Sequence, residues 1–75
     1  MKIKQQFTAI IEQSGDGYVS FCPEIDIASQ GNDVEEAREN LIEAIELFFE
    51  TASTTEIQSR LHDKVFITRV EVSVG

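Results

Sequence analysis

The side chains able to do chemistry in this chain are few and widely separated. Cys22 is its one cysteine and His62 its one histidine. Cys22 precedes Pro23 with no histidine near it in sequence and nothing evident to stabilise a thiolate, so it reads as a small core or edge residue. His62 stands in a polar segment and reads as a surface histidine. One histidine and one cysteine do not build a zinc site without carboxylates brought from elsewhere. Gly15-Asp16-Gly17 is too short and too acidic to cradle a phosphate. Asp16, Glu24, Asp26 and Asp33 are the one set of acids whose convergence would suit a magnesium-dependent nuclease. All four fall in turns or near strand ends, where acids commonly cap or solvate structure. The expectation is a binding protein and not an enzyme, with no catalytic residue, no metal and no cofactor.

What the chain does concentrate is negative charge. Its net charge is −8, and residues 33–50 hold seven acids against one base, Arg38. Placing successive residues 100° apart from Asn32 to Thr51 gathers Val34, Ala37, Leu41, Ala44, Ile45, Phe48 and the following Ala52 into a stripe roughly 100° wide. Glu35, Glu36, Glu39, Glu43, Glu46 and Glu50 lie almost opposite. Three like-charged pairs at i,i+4, Glu35/Glu39, Glu39/Glu43 and Glu46/Glu50, each cost about 0.2–0.5 kcal/mol. Capping and the helix dipole account for Glu35 and Glu36 at the N-terminal end. Glu39, Glu43, Glu46 and Glu50 remain as candidates for contact with a basic partner, which would relieve the repulsion on binding. The competing reading is a solvated face that only keeps a small protein soluble.

The elements that carry these residues follow from periodicity and punctuation. Residues 2–12 alternate as a strand, with Ile3, Phe7, Ala9 and Ile11 on one face. Residues 13–17 contain two glycines and read as a hairpin loop; Tyr18–Cys22 is the return strand, closed by Pro23. Residues 25–30 allow a third strand. Asp33 with Glu36 three residues later forms a capping-box pattern for the long helix. Ser53 with Glu56 repeats it for a short second helix, and Lys64–Val74 reads as a fourth strand with Phe66, Val70, Val72 and Val74 on one face. The expected fold is α+β: a four-stranded sheet in the sequence strand-strand-strand-helix-strand, sheet order 3-2-1-4, with one long helix on one face.

Seventy-five residues make one domain with a thin core. Ile10, Tyr18, Val65 and Ile67, with Ile42 and Phe49 on the helix shoulder, exceed what one helix can bury. The surplus points to a homo-oligomer, a dimer or higher, with Ile42, Phe49, Val65 and Ile67 as candidate interface residues. Lys2, Lys4, Arg38, Arg60, Lys64 and Arg69 are too scattered to form a phosphate-binding patch, so direct nucleic-acid binding is not expected. No apolar run is long enough for a membrane span, residues 1–4 lead into an alternating strand so that no secretory leader is expected, and the lone cysteine suits a reducing compartment. The expected location is the cytoplasm.

The middle of the chain also carries a recognisable series of spacings. Gly17-Tyr18-Val19-Ser20-Phe21-Cys22-Pro23-Glu24, then Ser29-Gln30-Gly31-Asn32-Asp33, then Glu35-Glu36-Ala37, Glu39-Asn40 and Glu43-Ala44-Ile45 closely resemble the HicB family. The likeness runs from residue 3 to about residue 50 and is to the N-terminal domain of these antitoxins and their stand-alone relatives. The resemblance implies a partial, catalytically dead RNase H-like domain that binds HicA, a small basic toxin that cleaves mRNA with a histidine, and occludes its active site. Two features depart from the family pattern. Ile25-Asp26-Ile27-Ala28 stands where the family has an apolar-Pro-Gly-Cys turn, and the chain stops at Gly75 without the family's DNA-binding domain. DNA-mediated autoregulation is therefore not expected. A structural or regulatory homodimer with no toxin partner is the alternative function.

Overall fold

The computed structural model describes residues 5–62 and 64–75. Three strands, β1 (Ile10–Ser14), β2 (Gly17–Cys22) and β3 (Ile27–Gly31), form an antiparallel sheet in the order β1-β2-β3. Helix α1 (Val34–Thr51) crosses one face, and a short helix α2 (Thr54–Arg60) follows. Ser14 pairs with Gly17, leaving a two-residue loop in which Gly15 has φ +61°. A positive φ at the first loop position matches the type II′ hairpin turn, whose twist suits the flanking strands.

Helix α1 starts where its local signals place it. The Asp33 carboxylate accepts from the Glu36 N–H at 2.7 Å, and the Glu36 carboxylate reaches back to the Asn32 N–H at 2.8 Å. The return bond falls one residue before the cap, a shifted form of the capping box. Ser53 caps α2 in the same way, accepting from the Glu36-equivalent position, the Glu56 N–H, at 3.1 Å. Ala37 and Leu41 are buried against the sheet, whereas Val34, in the first turn, is exposed.

The core is Cys22, Ile25, Ile27 and Leu41, with Phe7, Ala44, Ile45, Phe48, Phe49 and Leu61 packed around it. Two contacts tie the helix to the sheet at close range. The buried Ser20 hydroxyl donates to the Ala37 carbonyl at 2.9 Å. Gly31 lies so near α1 that a Cβ there would stand 2.4 Å from the Ala37 nitrogen. Glycine is required at that position by close approach and not by an unusual φ.

Two expected strands are corrected. The first does not extend across residues 5–9: its ladder begins at Ile10, opposite Phe21. The register would set Thr8 opposite Pro23, which has no N–H to donate, so the ladder stops there. Residues 2–4 of that expectation lie outside the described residues. The fourth strand, expected over Lys64–Val74, makes no ladder with any described residue. Phe66, Val70, Val72 and Val74 are 70–90% exposed instead. The sheet among the described residues thus has three strands, and the 3-2-1-4 order reduces to 3-2-1. The third strand begins two residues later than expected, yet Ile25 in the preceding turn is fully buried.

Candidate protein-binding surface

The groups first considered for chemistry are each held in a separate local structure. Thr8 donates its N–H to Glu24 Oε1 at 2.9 Å and its hydroxyl to Glu24 Oε2. The Cys22 thiol donates to the same Oε1 at 3.3 Å. Burial pushes the Glu24 carboxyl up, but the bonds from Thr8 and Cys22 together outweigh it and hold its pKa below the usual value. Burial, reinforced by the Glu24 side chain, raises the Cys22 thiol, which stays protonated at neutral pH. Glu24 is therefore a clamp between the lead-in to β1 and the end of β2.

Asp33 caps α1, as described, and Asp16 lies exposed in the hairpin. Asp26 closes the β2–β3 turn at φ +56°, and its carboxylate lies 2.9 Å from His62 Nε2. This pair was not visible in the sequence, where the partners stand 36 positions apart. With the His62 N–H to Glu24 carbonyl bond it fastens the end of α2 to the β2–β3 turn. Among the described residues, no three His, Cys, Asp or Glu side chains converge.

The acidic stripe is displayed along α1. Glu35, Glu36, Glu39, Glu43, Glu46 and Glu50 are all exposed. Arg38 sits at the N-terminal part, 3.1 Å from Glu39 and 3.8 Å from Glu35. No described base lies within ion-pair distance of Glu43, Glu46 or Glu50. Of the four residues singled out for partner contact, Glu39 is thus partly neutralised.

Glu46 and Glu50 also rim a groove of about 1070 Å³ between α1 and residues 5–9. Ile42 and Phe49 lie in its wall with Phe7 and Ile45. The Phe7 and Phe49 rings are 5.6 Å apart, so the groove floor is aromatic. The structure brings together Ile42 and Phe49 from the expected oligomer interface but leaves Val65 and Ile67 on the segment after α2. Val65 is half-buried and Ile67 exposed. Tyr18, counted with the apolar surplus, shares the helix side of β2 with Ser20 and Cys22. The uncovered sheet face carries instead the cross-strand pair Ile10 and Phe21, 44% and 40% exposed. Alternation along β2 was the signal for Phe21.

No described helix is long and apolar enough to cross a membrane. Comparison with models of known protein families, with characterised proteins and with solved structures finds no significant match.

Proposed function

We propose that this chain is an antitoxin-type binding module that neutralises a small basic HicA-like toxin by covering the site with which the toxin cleaves mRNA. The observation that carries the reading is the acidic stripe of α1, exposed along its length and without described counter-charges at Glu43, Glu46 and Glu50. Charge of one sign on a rigid helix speeds encounter with a surface of the other sign and rejects polyanions. The resemblance of residues 17–45 to HicB-type sequences supplies the kind of basic partner. Occlusion needs no catalysis by this chain, in keeping with a thiol held protonated and carboxylates engaged in caps and clamps. Cytoplasmic location and a partial RNase H-like ancestry belong to the same proposal.

The alternative, a stand-alone homodimer without a toxin, is favoured by the apolar groove and by the exposed segment 64–74. An RNA-cleavage assay separates the two. A purified HicA-type toxin should lose activity in proportion to added protein and be silent at an equimolar ratio. Full cleavage in the presence of a large excess would leave the homodimer reading.

A further inference from the structure

Two incomplete structures stand in this molecule, and each has what the other lacks. The first is the outer edge of the sheet. Among the described residues β1 pairs only with β2, and the lead-in at residues 5–9 has no ladder partner. Beside that edge runs the groove walled by Phe7, Ile42, Ile45 and Phe49, its rim bearing Glu46 and Glu50 and no described base. The second is the segment 64–74. It alternates as a strand does, with Lys64, Phe66, Val70, Val72 and Val74 on one side and Val65 and Ile67 on the other. Its four outermost apolar side chains are 70–90% exposed. Its bases, Lys64 and Arg69, outnumber its one acid, Glu71.

The segment does not lie in its own molecule's groove. The bond from the His62 N–H to the Glu24 carbonyl fixes where it leaves the body, and the molecule is 51 Å long. None of residues 64–74 lines that groove. Ten edge positions, 5–14, face eleven in the segment, a match in length.

We propose that segment 64–74 of one copy adds as a strand to the β1 edge of a second copy, and reciprocally, making a two-fold dimer by strand exchange. Main-chain bonds complete the edge, as in other β-augmentation. Phe66, Val70, Val72 and Val74 enter the groove over Phe7 and Phe49, and Lys64 meets the acidic rim. Val65 and Ile67 then extend the apolar patch of Ile10 and Phe21 on the opposite face. The exchange also closes an edge that would otherwise invite unspecific pairing. The inference does not depend on any toxin, and its test uses this protein alone.

The experiment is sedimentation of the full chain at micromolar concentration, followed by isotope-filtered NMR on a mixture of labelled and unlabelled copies. The expected result is a dimer with intermolecular contacts from the Val70, Val72 and Val74 methyls to the Phe7 and Phe49 rings. The double variant Val70→Thr, Val72→Thr keeps strand propensity and alters side chains exposed in the single copy. It should raise the dimer dissociation constant about tenfold or more, at unchanged helix and sheet signals. A monomer overturns the proposal, as does a segment contacting its own copy's groove. So does a dimer joined through Ile10 and Phe21 with segment 64–74 unprotected, or an unchanged dissociation constant in the variant.

Discussion

Glu24 shows how one acid can be structural while sitting among groups that resemble an active site. Its two oxygens receive the Thr8 N–H, the Thr8 hydroxyl and the Cys22 thiol, which hold its folded pKa below the ordinary carboxylate value although burial opposes them. A carboxyl whose pKa is lower folded than unfolded contributes stability above its unfolded pKa, near about 4.3, and loses it as pH falls through the folded value. Urea unfolding as a function of pH should therefore show a falling limb below about pH 4.5 that Glu24→Gln flattens. The same change should cost about 1 kcal/mol at neutral pH, since a neutral amide offers one acceptor oxygen to donors that now share two. A variant with the wild-type acid limb would assign that limb to other carboxylates. His62 and Asp26 make the complementary point. Each looks isolated in the sequence, and only the chain's path, with Asp26 held at φ +56°, brings them to 2.9 Å.

At the scale of elements, the joint between α1 and the sheet is the feature most sensitive to change. A Cβ at Gly31 would stand 2.4 Å from the Ala37 nitrogen and 2.7 Å from the Glu36 carbonyl carbon, both main-chain atoms that cannot swing aside. Gly31→Ala should destabilise by about 2–3 kcal/mol, measured by thermal or urea unfolding. A loss under about 0.5 kcal/mol would mean that the helix shifts freely on the sheet. The helices were legible in the sequence because their signals are local: Asp33 with Glu36 and Ser53 with Glu56 each lie within one turn. The hairpin was legible for the same reason, through Gly15. Alternation marks a segment able to join a sheet and does not supply its neighbour, so the first strand is shorter than its alternating run and no described ladder holds residues 64–74. Thr8 meets Pro23, which lacks a donor, and residues 64–74 meet no described strand. Two groove residues, Ile42 and Phe49, stand out in the sequence as apolar side chains on the helix shoulder, beyond what one helix can bury. Their companion Phe7 came from an element expected to be covered.

For the whole molecule, the acidic stripe and the groove share Glu46 and Glu50, so the proposed strand exchange and the proposed toxin contact would meet along one side of α1. Their energetics differ. The groove wall is aromatic and aliphatic, and burial there depends little on salt, which acts only on its Glu46 and Glu50 rim. The stripe acts through charge, which at 0.15 M salt is screened beyond about 8 Å. Mutual repulsion within the stripe makes a second, opposite signature in the free protein. Changing Glu43 and Glu46 to Gln removes the 39/43 and 46/50 repulsions and should leave stability unchanged or higher by a few tenths of a kcal/mol for each pair. That signature separates a docking role from solvation only when read together with binding. The most direct measurement is therefore the affinity and association rate of a HicA-type toxin for wild type and for the double variant Glu43→Gln, Glu46→Gln, at low and high salt. Weaker and slower binding by the variant at low salt, converging with wild type at high salt while unfolding shows no loss of stability, is the expected result. Binding unaffected by the substitutions at both salt concentrations would contradict the docking role and leave the stripe as solvation.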